Sequence, residues 1–313
     1  MVKLYRNFNI NNNSKKSILL IGNFDGLHLG HQKIFLKAKK YSRKFKMQIG
    51  VLTFDPPPTM FFNNKIINYK ILNNFQKFYL LKKFAADYII NKKFDKKFSK
   101  ITSSDFIKKI IVNKINPKFI FVSNNFKFGN KRKGNVKQLI KYGNKYNFKV
   151  VKPSPLKRDK KIISSTLVRN LIVKGKIKQA NKLLSRNWVI QGTVQKGKRL
   201  GKKLGFPTCN IDINNYVKPK SGVYSVKVVK NNSKKVFNGV AYLGYRPTFK
   251  GKKLLLEVNL FRFNGNLYRK NLNVYFYNFI RGERKYKNSK RLVYQMKKDL
   301  RKAKFDLKNK IIL

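Results

Sequence analysis

Short apolar runs alternate with longer amphipathic segments from Ile18 to about Leu184. The runs have the length and the branched side chains of buried strands, and the segments repeat apolar residues every three to four positions, as surface helices do. This alternation predicts an α/β fold, in which a mainly parallel sheet carries helices on its faces. The predicted strands are Ile18–Ile21, Gln48–Phe54, Tyr88–Ile90, Phe119–Ser123 and Lys149–Val151, and the predicted helices are His31–Phe45, Asn74–Phe84, Ser104–Val112, Val136–Tyr146 and Thr166–Leu184.

The pattern changes after Trp188, where short β-branched or aromatic runs are separated by Gly, Pro and Asn. Short strands with turn signals between them predict a small antiparallel β-barrel, and the amphipathic segment Lys290–Leu300 predicts a helix after it. The change places the domain boundary near Ser185–Asn187, giving domains of residues 1–185 and 186–313. The predicted strands of the second domain are Trp188–Val194, Gly222–Val229, Val236–Tyr242, Leu254–Phe263 and Leu272–Phe279.

A glycine turn with two histidines follows the first predicted strand. Gly22 and Gly26 interrupt the apolar run, the helical pattern begins at Gly30, and His28 and His31 are the two histidines of the sequence. Their spacing puts both imidazoles on one side of a helical turn, beside a helix N-terminus. Backbone N–H groups and the helix dipole favour a polyphosphate there, and imidazoles can donate hydrogen bonds to it. The stretch therefore predicts a nucleotide-phosphate site, with two solvated loop histidines as the alternative.

Further polar segments are expected near this turn. Asp55–Pro58 and Ser123–Gly129 also follow predicted strands, so they are expected to share one crevice with it at the carboxyl ends of the strands. Ser164–Arg169 opens a helix with a hydroxyl residue at its cap, and Arg169 lies about one turn further on. A phosphate bound near that helix start is one interpretation. An ordinary capping sequence is the other.

Gly201–Asn210 predicts a second phosphate-binding loop, in the barrel half. Its glycines allow the backbone to approach a phosphate, and Pro207 fixes the turn. Thr208 and Asn210 offer uncharged oxygens that suit a magnesium–nucleotide complex. A plain β-turn explains the Gly and Pro residues but not the Thr-x-Asn pair. The preceding Gly192–Lys198 has the spacing of a P-loop, but Arg follows it where that motif needs Ser or Thr, so no P-loop is predicted.

The barrel half contains few carboxylates, which narrows the search for a general base. Asp299 and Asp306 lie in or beyond the predicted terminal helix among lysines, and we expect them to be solvated. Glu257 lies in the most apolar predicted strand of this half, where a carboxylate is costly unless it is paired. Carboxylates in such settings are candidate general bases. Strand alternation allows the alternative that Glu257 points to solvent.

The charge of the chain is extreme, with 75 basic residues, 11 acidic residues and a formal net charge of +64. Such a balance is typical of nucleic-acid-binding proteins. Here, however, the lysines are spread along the whole chain, and Asn, Ile, Phe and Tyr, which also have AT-rich codons, are plentiful. Compositional drift therefore explains the charge. The charge itself predicts weak, salt-sensitive adhesion to polyanions, and we expect no specific nucleic-acid partner.

The cellular compartment follows from cysteine content and hydropathy. The single cysteine, Cys209, excludes an intrachain disulfide and fits a reducing compartment. No run reaches the roughly 18 apolar residues that a membrane-spanning helix needs, and the N-terminus has no apolar core of signal-peptide length. We expect a cytoplasmic protein with no membrane partner.

A series of motifs, in order along both halves, resembles the bacterial bifunctional riboflavin kinase/FAD synthetase family. Gly22–His31 resembles its adenylyl-transfer signature. Gly201–Asn210 resembles the Gly-Phe-Pro-Thr-Ala-Asn loop of riboflavin kinases, with Cys209 in place of Ala, and Leu256–Phe261 resembles the strand that carries the catalytic Glu. The other matching segments are Thr53–Pro58, Asn125–Gly129, Ser164–Arg169, Asn238–Thr248 and Ile280–Arg284.

The resemblance implies a Rossmann-like nucleotidyltransferase domain followed by a riboflavin kinase barrel. In the barrel, it makes Glu257 the general base on the riboflavin 5′-hydroxyl, which attacks the γ-phosphate of ATP to give FMN. It makes Thr208 and Asn210 the residues that hold Mg²⁺ with the nucleotide. The implied ATP-binding residues of this half are Gly201, Gly205 and Pro207, and the implied flavin-binding residues are Arg246, Arg281 and Glu283.

In the α/β domain, the resemblance implies that the FMN phosphate attacks the α-phosphate of a second ATP, giving FAD and pyrophosphate. His28, His31 and Arg169 are then expected to stabilise charge on the phosphates. The implied ATP-binding residues of this half are Gly22, Phe24, Asp25, Gly30, Ser164, Ser165 and Thr166, and the implied flavin-binding residues are Phe54, Asn125 and Phe128.

Three positions depart from the family pattern. Asn125 stands where the family usually has Asp, and Pro57 and Asn259 stand where it usually has His. The first two lie in the adenylyltransferase half, and the charge lost at Asn125 makes that activity the one expected to be impaired. The expected substrates are riboflavin, FMN and ATP, with Mg²⁺ as cofactor. Two alternatives stay open: a riboflavin kinase whose other half has decayed and, more distantly, a basic nucleic-acid-binding protein.

Overall fold

The computed structural model describes residues 2–197, 201, 204–213, 216–231, 233–248 and 251–312, without the side chains of residues 246–248 and 251–253. The chain divides into two compact units. The first comprises Met1–Ile67 and Asn74–Ser164, and the second comprises Asn68–Asn73 and Ser165–Leu313. Among the described residues, every helix is too short or too polar to cross a bilayer.

The first unit is built on a parallel sheet, which confirms the predicted α/β fold. Its strands are β1 (Lys3–Tyr5), β2 (Ile18–Ile21), β3 (Ile49–Asp55), β4 (Tyr88–Lys93), β5 (Phe119–Phe121), β6 (Lys127–Phe128), β7 (Gly134–Asn135), β8 (Lys149–Val151), β9 (Lys157–Arg158) and β10 (Lys161–Ile162). Its helices are α1 (Leu29–Phe45), α2 (Pro58–Phe62), α3 (Asn74–Lys83), α4 (Lys96–Ser99), α5 (Ser103–Asp105, continued by a π-helix over Phe106–Ile115) and α6 (Val136–Lys145). The sheet has the order β1-β4-β3-β2-β5-β8, with every pair parallel.

Burial follows the apolar runs of the sequence. All four residues of β2 are buried, as expected of a central strand covered on both faces. Phe35 and Ala38 form the buried side of α1. The strand β1 was not predicted; it is three residues long and pairs with β4 at the edge of the sheet. The loops after β3, β2 and β5 leave neighbouring parallel strands, so they meet at the carboxyl edge of the sheet, as predicted.

The second unit is the predicted antiparallel barrel. Its strands, β11 (Trp188–Gln195), β12 (Cys209–Asp212), β13 (Gly222–Lys230), β14 (Val236–Thr248), β15 (Gly251–Leu260) and β16 (Asn271–Gly282), close in the order β11-β12-β15-β14-β13-β16. Its helices are α7 (Ser165–Val173), α8 (Ile177–Leu184) and α9 (Ser289–Leu307). The single helix predicted over Thr166–Leu184 is therefore two helices, because Gly175 between them has a φ of +72°.

The barrel core holds α8 and the short segment Asn68–Asn73 in place. The buried amide of Asn181 on α8 donates to the Phe276 carbonyl and accepts from the Trp188 N–H, each at 2.8 Å. The Trp188 indole in turn donates to the Ile71 carbonyl at 3.0 Å. Residues 165–184 therefore group with the barrel in the second unit. The domain boundary near Ser185–Asn187 stays a prediction.

The C-terminal helix α9 is longer than predicted, and two expectations about its acids are wrong. Asp299 is buried, because the Arg281 guanidinium binds its carboxylate through Nε and through Nη2, the latter at 2.7 Å. Asp306 is half-buried and accepts hydrogen bonds from Ser225 Oγ at 3.2 Å and Asn278 Nδ2 at 2.9 Å. Both carboxylates tie α9 to the barrel rather than facing solvent.

Candidate active sites

The predicted histidine pair lies at the start of α1. His28 is the N-cap residue and is buried, and its ring stacks on that of His31 with the centroids 3.8 Å apart. Phe24 packs edge-on against His31 at 5.2 Å, from a backbone with a φ of +48°. The predicted placement of both imidazoles on one side of the first helical turn is confirmed. Around them Asp25 is buried and Gly22 lies against the Phe24 ring.

A buried lysine at the carboxyl edge of the sheet was not predicted. Lys77 Nζ donates to Thr53 Oγ1 at 3.2 Å, and that hydroxyl donates to the carbonyl of Asn23 in the histidine turn, also at 3.2 Å. The network joins α3 and β3 to the turn and brings a positive charge to this edge. The sequence carries no local signal of it, because Lys77 is one of many lysines on amphipathic helices.

The predicted Ser164–Arg169 segment is divided between the two units. A Cβ at Gly30 would lie 3.0 Å from the Ile163 carbonyl, so the residue before Ser164 packs against the first turn of α1. Ser165, Thr166 and Arg169 lie on α7 in the second unit. There the Arg169 guanidinium lies 3.8 Å from the centroid of the Tyr69 ring, and its Nε donates to the Tyr69 carbonyl at 3.0 Å. Phosphate binding by these residues stays a prediction.

The implied flavin residues of the first unit differ in exposure. Phe54 is partly buried, with its ring 5.6 Å from that of Phe98. Phe128 is buried in the core and packs on Phe106 at 5.4 Å. Asn125 is exposed, and its side-chain oxygen accepts from Ser123 Oγ at 3.0 Å. Contact of any of them with a flavin stays a prediction.

In the barrel, Glu257 faces polar residues rather than the core. Its neighbours along β15, Leu256 and Val258, are fully buried in the barrel, so Glu257 lies on the opposite face of the strand. It is 9% exposed, which argues against the solvent-facing alternative. The pairing register places it directly across from Asn210 on β12 and from Tyr242 on β14. The candidate base and a candidate metal ligand therefore share one face of adjacent strands.

The side chain of Asn210 is suited to bind a cation. Within the described residues, its buried side-chain oxygen has no hydrogen-bond partner, and an uncompensated buried oxygen of this kind is rare. Its amide nitrogen lies against Gly197, where a Cβ would come within 1.8 Å. Thr208 immediately precedes β12, two residues before Asn210, and its Oγ1 lies beside Gly201, where a Cβ would come within 3.1 Å of it. Neutral oxygens are suitable ligands for Mg²⁺ beside phosphates.

The predicted phosphate loop closes on itself in front of these oxygens. Phe206 N–H donates to the Gly201 carbonyl at 2.8 Å, and a Cβ at Gly201 would lie 2.4 Å from the Phe206 carbonyl and 3.1 Å from Thr208 Oγ1. Gly205 has a φ of +81°, which favours glycine. Asn259 Nδ2 donates to the Pro207 carbonyl at 2.7 Å. The loop therefore requires its glycines for reasons of space and backbone conformation.

Of the remaining implied flavin residues, Arg246 lies on β14, Arg281 lies on β16 and Glu283 follows β16 directly. Exposed Glu283 accepts from Tyr242 Oη at 2.6 Å, and a Cβ at Gly244 would lie 2.3 Å from that hydroxyl. Burial tends to lower the pKa of Arg281, but the hydrogen bonds and charge of Asp299 raise it overall. The side chain of Arg246 lies outside the described residues. Flavin binding by these residues stays a prediction.

Both halves match known protein families. Residues 10–167 match a model described as FAD synthetase, and residues 184–307 match one described as riboflavin kinase. The bifunctional riboflavin kinase/FMN adenylyltransferase of Buchnera aphidicola subsp. Schizaphis graminum is 40% identical over 294 residues, 93% of each chain. Proteins of the same description from Haemophilus influenzae and Escherichia coli K12 are 37% and 32% identical, over 91% and 90% of this chain and 92% and 90% of their own.

A solved structure matches along nearly the whole chain. It is described as a macrolide-efflux protein from Streptococcus pneumoniae and is 28% identical, with a TM-score of 0.85 over 97% of this chain and 98% of that one. The parallel sheet and the barrel therefore occur together, in this order, in another protein.

Proposed function

The chain belongs to the bifunctional riboflavin kinase/FMN adenylyltransferase family, and we propose that the barrel site and the histidine turn carry its two reactions. The protein phosphorylates riboflavin with ATP to give FMN, and it adenylylates FMN with a second ATP to give FAD and pyrophosphate. The single observation that supports the first assignment most strongly is the buried Glu257 directly opposite Asn210. The stacked pair of His28 and His31 supports the second.

For FMN formation, Glu257 accepts the proton of the riboflavin 5′-hydroxyl as its oxygen attacks the γ-phosphate of ATP. The bond from the γ-phosphorus to its bridging oxygen breaks, and ADP leaves. The loop 201–208 binds the nucleotide phosphates through its backbone. Positioning and charge stabilisation carry most of the catalysis in such transfers.

Thr208 and Asn210 are the residues proposed to hold the divalent cation, which we propose is Mg²⁺. Among the residues that the structure describes, the buried side-chain oxygen of Asn210 has no partner, and this supports the role, since a cation would remove the cost of burying that oxygen. When bound, Mg²⁺ neutralises charge on the β- and γ-phosphate oxygens.

For FAD formation, an oxygen of the FMN phosphate attacks the α-phosphate of ATP, and pyrophosphate leaves. A phosphate is already a nucleophile near neutral pH, so no side-chain base is required. His28 and His31 donate hydrogen bonds to the phosphates, and phosphate binding by Arg169 of the second unit stays a prediction. Lys77 raises the positive potential of the same sheet edge.

The two alternatives gain no support from the comparisons, because each half matches an enzymatic family over most of its length. Asn125 and Pro57 still depart from the family pattern, so we propose that the adenylyltransferase half works without a carboxylate at position 125. The cytoplasm remains the proposed compartment, and the buried free thiol of Cys209 is compatible with a reducing environment.

The test is product analysis on the purified full chain. With riboflavin, Mg²⁺ and ATP, chromatography should show FMN and then FAD. Glu257→Gln should lower FMN formation by about 10²- to 10⁴-fold and leave FAD formation from supplied FMN intact. Asp212→Asn, a change of a half-buried carboxylate at the far end of β12, is the matched control and should keep both activities.

The reciprocal variant tests the other half. His28→Ala combined with His31→Ala should abolish FAD formation and leave FMN formation unchanged. Accumulation of FMN by the wild-type protein, with no FAD from added FMN and ATP, would instead identify a kinase whose second half has decayed. Absence of both products would refute the proposed function.

A further inference from the structure

A side chain outside the proposed catalytic set controls the backbone of the phosphate loop. Asn259 is buried, and its Nδ2 donates to the Pro207 carbonyl at 2.7 Å. Pro207 immediately precedes Thr208, the first of the two proposed cation ligands. The bond is therefore one peptide unit away from the ligand hydroxyl.

The register of the two strands explains why this bond is possible. The β12–β15 ladder ends where Cys209 pairs with Val258, and one step further along it Thr208 would face Asn259. Backbone pairing stops at that step, because the chain turns into the loop. The Asn259 side chain supplies a hydrogen bond to the next carbonyl in its place.

The bond fixes the orientation of a whole peptide plane. In a trans peptide the carbonyl and the N–H point in opposite directions. When the Pro207 carbonyl is held towards Asn259, the Thr208 N–H must point away from it. Pro207 is exposed, so without this bond its carbonyl is free to turn towards water and the peptide loses its fixed orientation.

We propose that Asn259 is a positioning residue of the kinase, which holds the Pro207–Thr208 peptide in the orientation that binds magnesium–ATP. This inference rests on the proposed kinase function. Asn259 acts through Thr208 and does not itself touch substrate. Any side chain that donates a hydrogen bond to the Pro207 carbonyl at this distance should serve in its place.

The experiment compares four full-chain variants in FMN formation and in binding of a non-hydrolysable magnesium–ATP analogue. Asn259→Leu removes the donor and keeps four side-chain heavy atoms branched at Cγ, and it should raise the Kd of the analogue and the KM for ATP by about tenfold. The KM for riboflavin should change less than twofold. Asn259→Asp should have at least the same effect, whereas Asn238→Asp, which adds the same charge at an exposed position of β14, should have none. Asn259→His restores a donor and should recover affinity to within about threefold.

A double-mutant cycle separates positioning from a general structural role. If Asn259 acts through Thr208, Asn259→Leu should add little to the loss of ATP affinity already caused by Thr208→Ala. Additive losses, or an unchanged Kd in Asn259→Leu and Asn259→Asp, would overturn the inference. The fluorescence of Trp188, which is buried in the barrel core, reports in the same samples that the barrel unit is folded. A wild-type protein that forms no FMN would refute the proposed function itself. A wild-type protein that forms FMN, with variants that bind ATP equally well, would refute only the role of Asn259.

Discussion

Replacing Asp299 by Asn should destabilise the barrel strongly, although the residue lies on a lysine-rich helix. Its carboxylate accepts two hydrogen bonds from Arg281 Nε, at 2.9 and 3.0 Å, one from Nη2 at 2.7 Å and one from Gln295 at 2.9 Å. The Arg281 side chain is 13% exposed and that of Asp299 is 5% exposed. The substitution keeps the shape of the side chain and leaves the guanidinium buried without a countercharge.

The expected loss is about 3 kcal/mol of unfolding free energy, at the lower end of the range for breaking a buried ion pair, because Arg281 keeps some access to water. For a unit of about 150 residues this corresponds to a fall in Tm of roughly 6–12 °C. Trp188 is the one tryptophan of the sequence and is buried in the barrel core, so its fluorescence reports unfolding of this unit. Denaturant titration followed by that signal measures the change.

A surface pair provides the matched control. Asp105 and Lys109 lie 3.2 Å apart on the first unit with side chains 39% and 73% exposed, so Asp105→Asn should cost less than about 0.5 kcal/mol. Because Trp188 reports the second unit, unfolding of this control is followed by circular dichroism. The double variant Arg281→Met with Asp299→Leu should be more stable than Asp299→Asn, because it buries no unpaired charge. A Tm for Asp299→Asn within 1 °C of the wild-type value would refute the strong destabilisation. So would a loss of stability in the double variant equal to the sum of the losses caused by Arg281→Met alone and Asp299→Leu alone.

Three further outcomes are expected. Gly197→Ala should lower FMN formation at least tenfold and leave FAD formation from FMN unchanged, since its Cβ would overlap the Asn210 amide. Gly282→Ala is the control, because a Cβ there would point into open space. Equal rates of FMN formation by the two variants would contradict a role of Asn210 in the kinase site. Burial raises the pKa of Cys209 from 9.0 to about 12, so iodoacetamide at pH 8 should label it only after unfolding, and stability should fall as pH rises from about 9 to 12, because the unfolded chain loses that proton first. If iodoacetamide labelled Cys209 in the folded chain as fast as in the unfolded chain, the predicted protection would be contradicted. Lys77→Met should reduce FAD formation with FMN formation intact; equal losses of both would indicate a purely structural lysine.

Local sequence patterns were sufficient for the elements that local physics determines. The apolar run before Gly22 gave β2 because a central parallel strand needs nothing but buried side chains. The spacing of His28 and His31 predicted that both imidazoles lie on one side of a helical turn, and the structure adds that they stack. The motif Gly201–Asn210 was read as a loop throughout. The structure begins β12 at Cys209 within that motif, because a phosphate-binding turn and the strand that supports it overlap in sequence.

Contacts between distant residues account for what the sequence missed. The lysines around Asp299 suggested solvent, and the partner that buries it, Arg281, lies on another element. Asn259 appeared as a departure from the family, yet it still donates a hydrogen bond, to Pro207. Lys77 carried no signal at all, since its burial depends on how α3 packs against β3.

The path of the chain restricts how the two activities can be separated. Residues 68–73 leave the first half of the sequence to join the barrel unit, where Ile71 accepts the indole hydrogen bond and Asn73 donates to Gln191. A fragment that begins at residue 186 would lack these acceptors and donors, and one that ends at 185 would carry six residues with no barrel to receive them. We therefore expect a barrel fragment that begins at residue 186 to be less stable than the same unit in the full chain.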